Sequence, residues 1–119
     1  MTHRALPPRF LVVIAAIVAC STSPDSKPST HQTVDVFTVV DAFSPAFATV
    51  NAGDTVRWTF AGGSDGMGHN VRFFPAVAGA PADINILKTG TATRVFLTRG
   101  TFDYVCDVHP GMNGSVTVQ

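Results

Sequence analysis

The chain has 119 residues, enough for one domain. Acidic and basic residues balance over the whole sequence. Past residue 19, six Lys and Arg stand against eight Asp and no Glu, a net charge of −2. That balance speaks against a nucleic-acid binder, which carries a basic face, and no charge run marks an electrostatic docking site.

Residues 1–19 read as an export signal. His3, Arg4 and Arg9 give a weakly positive start, and Phe10 to Ala19 is an unbroken apolar run of ten residues. A spanning helix needs about 20, so this run suits the hydrophobic region of a signal peptide. It ends in Ile17-Val18-Ala19-Cys20, which resembles a bacterial lipobox, where the cysteine becomes the lipidated first residue. The plainer alternative is an ordinary signal peptide with Cys20 incidental. Cys20 sits at the apolar–polar boundary, where lipidation requires it, which favours the lipoprotein. A lipid there tethers a domain to a membrane surface without spanning it. The expected location is the bacterial cell envelope, on its periplasmic side.

Residues 20–32 are rich in Ser, Thr and Pro and read as a solvated tether, with His31 an ordinary exposed histidine. From Thr33 to residue 119 the pattern changes to short runs of period two. Val34, Val36, Thr38 and Val40 share one face. Val56, Trp58 and Phe60 share another, as do His69, Val71 and Phe73. Val95 and Leu97 pair with Thr93, Phe102 and Tyr104 with Cys106, and Val116 with Val118. Turn signals separate the runs at Ala52-Gly53-Asp54, Gly62 to Gly66, Thr89-Gly90 and Arg99-Gly100. Residues 75–83 are too rich in Pro, Ala and Gly for a helix and read as loop. The expected fold is all-β, an antiparallel sandwich or barrel of about seven to eight strands. Trp58, Tyr104 and most of the nine Phe would fill its core.

The chemistry lies between the last two strands, in Cys106-Asp-Val-His109-Pro-Gly-Met112. A disulfide from Cys106 to Cys20 is rejected, because Cys20 belongs to the signal junction. A lone thiol in an oxidising compartment is a liability unless it is ligated or buried. A loop can curl thiolate, imidazole and thioether toward one point, as an extended strand cannot. His69 is the credible second imidazole, since His3 lies in the signal and His31 in the tether. Two His, one Cys and a weak axial Met make a trigonal donor set diagnostic of blue copper. Singly, each residue has a duller reading: Cys106 and Met112 as core filler, His69 as a satisfied strand histidine. Their joint order and spacing outweigh it. A Cys–His₂ set also accepts zinc. Met67 could add a thioether, although an exposed loop residue is the preferred reading.

Here the chain resembles the cupredoxins, close to their plastocyanin and amicyanin branch. The resemblance rests on Val50-Asn-Ala-Gly-Asp-Thr-Val-Arg-Trp58, His69-Asn70-Val71, and Tyr104 to Val118 with its Cys-x₂-His-x₂-Met loop. It implies a Greek-key β-sandwich and one type 1 copper ion cycling between Cu(I) and Cu(II). His69, Cys106 and His109 would be strong ligands and Met112 the long axial one. It implies a monomeric electron carrier, not an enzyme, whose redox partners dock at an apolar patch around His109, ringed by Pro110, Gly111, Pro45 and Met67. Around the ligands, Asn70 would tie the two ligand-bearing segments together. Asp107 stands where relatives often carry Ser or Thr. Val108 stands where amicyanin carries proline, and its N–H could bond the Cys106 sulfur. The competing expectation is a periplasmic copper-binding or delivery protein. Oxidase readings fail for want of His-x-His pairs.

Overall fold

The computed structural model describes residues 30–119; the signal segment 1–19, Cys20 and the tether up to residue 29 lie outside the described residues. Nine strands form two sheets and no helix is present among the described residues. One sheet runs β2 (Ala42–Ser44), β1 (Thr33–Val39), β4 (Thr55–Phe60), β7 (Gly90–Val95). The other runs β3 (Phe47–Val50), β9 (Asn113–Val118), β8 (Gly100–Val105), β5 (His69–Phe73), β6 (Ile84–Leu87). The all-β sandwich expected from the alternation is therefore present. Short β2, β3 and β6 raise the strand number above seven to eight. The sheets are mixed, with β1 beside β4 and β3 beside β9 parallel.

Period-two patterning builds the core. Val36, Val56 and Trp58 of one sheet and Val71, Tyr104 and Val116 of the other are fully buried. Trp58 is its centre. Its ring meets Tyr104 at 5.6 Å and Phe73 at 6.3 Å, both edge-to-face. Such pairs contribute about 0.5–1.5 kcal/mol each beyond area burial. Five of the eight Phe among the described residues are buried, namely Phe43, Phe60, Phe73, Phe96 and Phe102.

One face is corrected. Val95 and Leu97 are exposed, and the residue that enters the core beyond β7 is Phe96. The inward register of this strand is Ala92, Arg94, Phe96, so period two holds in the other phase. Arg94 disguises it. Its guanidinium reaches out to donate to the carbonyls of Ala82, Asp83 and Thr93, while its stem covers the sheet.

The Asn51–Asp54 turn explains the Gly-Asp-Thr-Val signature. Gly53 adopts φ 97°. The buried Asp54 carboxylate accepts from the backbone N–H of Gln32 and of Asn51, each at 2.8 Å. The Gly53 N–H donates to the Phe96 carbonyl and the Phe96 N–H to that of Asp54, which turns Phe96 inward. The Gln32 anchor lies one residue before the expected strand. The N–H groups of Gln32 and Asn51 hold the Asp54 pKa below its ordinary 3.8. A lowered carboxyl contributes stability that is present above 3.8 and lost as pH falls through the folded value. Asp54→Asn is expected to lower Tm by roughly 5 °C at pH 7, with the gap to the native chain closing below pH 3.8. Thermal melts across pH check it; a gap that widens in acid contradicts it.

Candidate metal centre

Topology brings the candidate residues together. Strands β5 and β8 are antiparallel neighbours, with Arg72 opposite Val105 and Phe73 opposite Tyr104. The start of β5 and the end of β8 therefore lie at one end of the sandwich. His69 opens β5, and Cys106 directly follows β8. The β8–β9 hairpin spans Cys106 to Met112, with Val105 opposite Asn113 at its base.

This loop is closed by its own backbone. The Cys106 N–H donates to the Met112 carbonyl at 2.9 Å, and the Met112 N–H to the His109 carbonyl at 3.1 Å. Pro110 and Gly111 fill the centre of the second turn, with Gly111 at φ 84°. Proline followed by a positive-φ glycine is the type II signature. The turn brings His109 and Met112 back over Cys106.

His69, Cys106 and His109 offer Nδ1, Sγ and Nδ1 within 4.8 Å of one another, all buried. Sγ lies 3.9 Å from His69 Nδ1 and 3.6 Å from His109 Nδ1. Metal bonds of about 2.0–2.3 Å spread trigonally put donor atoms about 3.7 Å apart, and the two separations bracket that value. Met112 is buried beside them. The three converging donors fit a metal ion.

Burial pushes the Cys106 thiol up. N–H donation from Asn70, with further hydrogen bonds from the ring and backbone of His109 and from the Val108 N–H, outweighs it, and the net shift is downward, toward thiolate. His69 is lowered, first by burial and then by His109, which keeps its ring neutral and its Nδ1 lone pair available. Its Nε2 is buried without a well-formed hydrogen bond and faces the Val40 carbonyl, on a residue at φ 56°. His109 is raised, first by its bond to Cys106 and further, against burial, by Asp65 and Asp41.

The surroundings answer the remaining expectations. Asn70 does join the two ligand-bearing segments: its Oδ1 accepts from the Asp107 N–H at 2.7 Å and its Nδ2 donates to Asp107 Oδ2 at 2.8 Å. His69, Asn70 and Val71 are buried in succession, out of period, because Asp107 covers the outward-pointing Asn70. Met67 is exposed, as expected of a loop residue.

The patch over His109 differs from the apolar one expected. Pro45, Pro110, Gly111 and Met67 are exposed, but two carboxylates stand at its centre. His109 Nε2 lies 3.2 Å from Asp65 Oδ1 and 3.4 Å from Asp41 Oδ1, and the residue is only 7% exposed. His109 Nε2 lies within hydrogen-bond reach of Asp65, and with Nδ1 given to a metal the one ring proton would sit on Nε2 and donate to that carboxylate. Asp41 in turn accepts from the N–H and hydroxyl of Ser64, holding the Gly62–Gly66 loop over the ring. Sequence reasoning missed Asp41, Asp65 and Ser64. The only available signal was the density of turn residues, which says nothing of what a loop covers.

The profile of the copper binding proteins of the plastocyanin/azurin family matches residues 32–119. Amicyanin of Paracoccus denitrificans is 32% identical over 111 residues, covering 87% of this chain and 82% of that protein. Plastocyanin of Scenedesmus fuscus is 34% identical over 87 residues, 65% of this chain and 86% of that protein. A solved Cu(I) amicyanin variant superposes with TM-score 0.62 at 30% identity, covering 73% of this chain and 82% of that one. A copper nitrite reductase of Thermus scotoductus shares the fold at TM-score 0.63, with 22% identity and 22% of its own length covered. Copper is the cofactor this matched family and this donor set have in common. The chain belongs to the plastocyanin/azurin family of copper binding proteins.

Proposed function

We propose that this chain is a mononuclear type 1 copper protein that shuttles single electrons between redox partners in the cell envelope. His69, Cys106 and His109 would hold the copper ion, with the Met112 thioether as a fourth donor. The convergence of one thiol and two imidazoles beside a buried thioether carries the reading. Bound copper supplies a one-electron Cu(I)/Cu(II) couple. The protein's part is to hold two imidazoles and a thiolate in a fixed, dry array, so that little rearranges when the charge changes. The backbone closure of the 106–112 loop and the Asn70–Asp107 bridge supply that rigidity.

His109 is the proposed electron exit, because its ring runs from the sulfur to the surface loop. The partner meets a rim of Pro110, Gly111 and Met67 around the Asp41–Asp65 pair. The −2 balance past residue 19 agrees with a weakly salt-dependent encounter. Lipidation at Cys20, anchoring of a monomer, and the periplasmic side of the envelope belong to the same proposal and rest on the lipobox pattern.

Copper delivery is the second reading, and the burial of all four ligands weighs against it, since handing over a metal requires access to it. Electron self-exchange and transfer of Cu(I) to an external chelator separate the two. A carrier shows fast exchange and slow metal loss; the reverse would contradict the proposal.

Val108 tunes this couple. Its N–H is one of the donors to the Cys106 sulfur, and proline would remove it. Losing a donor to the electron-rich state makes reduction harder. Val108→Pro is expected to lower the midpoint potential by roughly 40 mV, about fivefold in the reduction equilibrium. An unchanged or raised potential in a redox titration would contradict this.

A further inference from the structure

The ligand bridge does not end at Asp107. Asp107 Oδ2 accepts from the Asn70 amide at 2.8 Å, and Asp107 Oδ1 accepts from Arg72 Nε at 2.7 Å. The Arg72 guanidinium lies 4.8 Å from the centre of the Phe74 ring, which fixes its plane. Both charged side chains are more than a third exposed. A pair so exposed contributes little to folding stability, so its fixed geometry has another use. Asn70 touches the centre twice: its side chain grips the residue after Cys106, and its backbone N–H donates to the sulfur. Asp107 is an anion one residue from that sulfur, and Arg72 is the cation set against it.

We propose that Arg72 is a positioning residue for the metal centre: it holds the Asp107 carboxylate on Asn70 and cancels its charge beside the Cys106 sulfur. The proposal rests on the copper reading above. An uncompensated carboxylate there favours the more positive Cu(II) state and makes reduction harder. One unit charge at about 7 Å under near-water screening changes the equilibrium about threefold. Arg72 therefore keeps the potential up, and Asp107 without it would pull the potential down.

The test is a charge cycle on the copper-loaded protein, using redox titration at low and high salt. Arg72→Gln is expected to lower the reduction equilibrium constant about threefold, and Asp107→Asn to raise it by a similar factor. The double variant returns close to the native potential, Arg72→Lys restores most of it, and salt shrinks each single shift. The metal-free variants should melt within a few degrees of the native chain, as an exposed pair requires. A merely structural role predicts the opposite pattern, with both single variants shifting the potential in the same direction and the double variant worse than either. That pattern, or no shift in any variant of a blue protein, overturns the proposal. Failure of the copper reading would show separately, as a native chain that binds Cu(II) without an intense visible band.

Discussion

Replacing Cys106 with serine is expected to abolish the intense visible absorption of the copper-loaded protein while leaving the fold intact. The thiolate is the charge-transfer donor, and serine offers a hydroxyl that stays protonated at neutral pH. Supporting residues around metal sites already cost 10–100-fold in affinity when removed. Loss of the strongest ligand is expected to cost Cu(II) affinity more than about 100-fold. The packing effect is small. Cys106 is buried, but serine is nearly its size, and its hydroxyl can still face the two imidazoles, so stability falls by about 1 kcal/mol. Visible spectra with a copper titration, alongside circular dichroism, separate the two effects. A blue Cys106→Ser variant would place the metal elsewhere.

Gly68→Ala is expected to cause a large loss from outside the ligand set. Gly68 sits directly before His69 at φ 86°, and an added Cβ would come within 2.6 Å of the Leu87 carbonyl oxygen and 3.0 Å of Lys88 Cα. Those are backbone atoms, which cannot rotate away. The left-handed conformation costs about 1–2 kcal/mol for any residue with a side chain, and the collision adds to it. The total is about 3 kcal/mol, a fall of roughly 15 °C in Tm for a domain this size. The strain would be relieved by moving the start of β5, and His69 with it, so copper affinity should drop as well. Gly66→Ala is the control. It shares the positive φ, at 68°, but meets nothing within 4 Å. It should cost only the conformational share, about 1 kcal/mol. Equal losses at the two positions would show that the approach to Leu87 does not matter.

Both predictions depend on how the sequence encodes the site. The donor set was legible because its residues are rare in this chain and three of them share one short loop. Cys106, His109 and Met112 at spacings of three can meet only where the chain curls, and only His69 remained to join them. The fold class was legible for a similar reason, since buried strand faces such as Val56, Trp58 and Phe60 impose period two. What was hidden is tertiary. Arg94 in an inward register concealed that Phe96, not Val95 and Leu97, enters the core, because a long side chain can cover the sheet and still reach out. The Asp41–Asp65 cap on His109 joins positions 24 residues apart through a loop whose residues specify turns but not what they cover. Arg72 gave no signal at all. On a strand it reads as an ordinary exposed residue, and only pairing with β8 sets it beside Asp107.

These features give the site its character. The hairpin loop closes on itself, Asn70 binds it to β5, and the acid pair holds the His109 ring from outside. Two of these constraints act on the 106–112 loop, and the third ties that loop to β5. Together they hold the ligand-bearing segments to one another, which is the rigidity that the proposed single-electron exchange requires.

The most direct test of this account is to add Cu(II) to the domain comprising residues 30–119 and record visible and EPR spectra. The account predicts one copper per chain, an intense visible thiolate-to-copper(II) band, and loss of that band on reduction with its return on reoxidation. A protein that stays colourless with one Cu(II) bound, or that takes copper at a site indifferent to His69, Cys106 and His109, would contradict it.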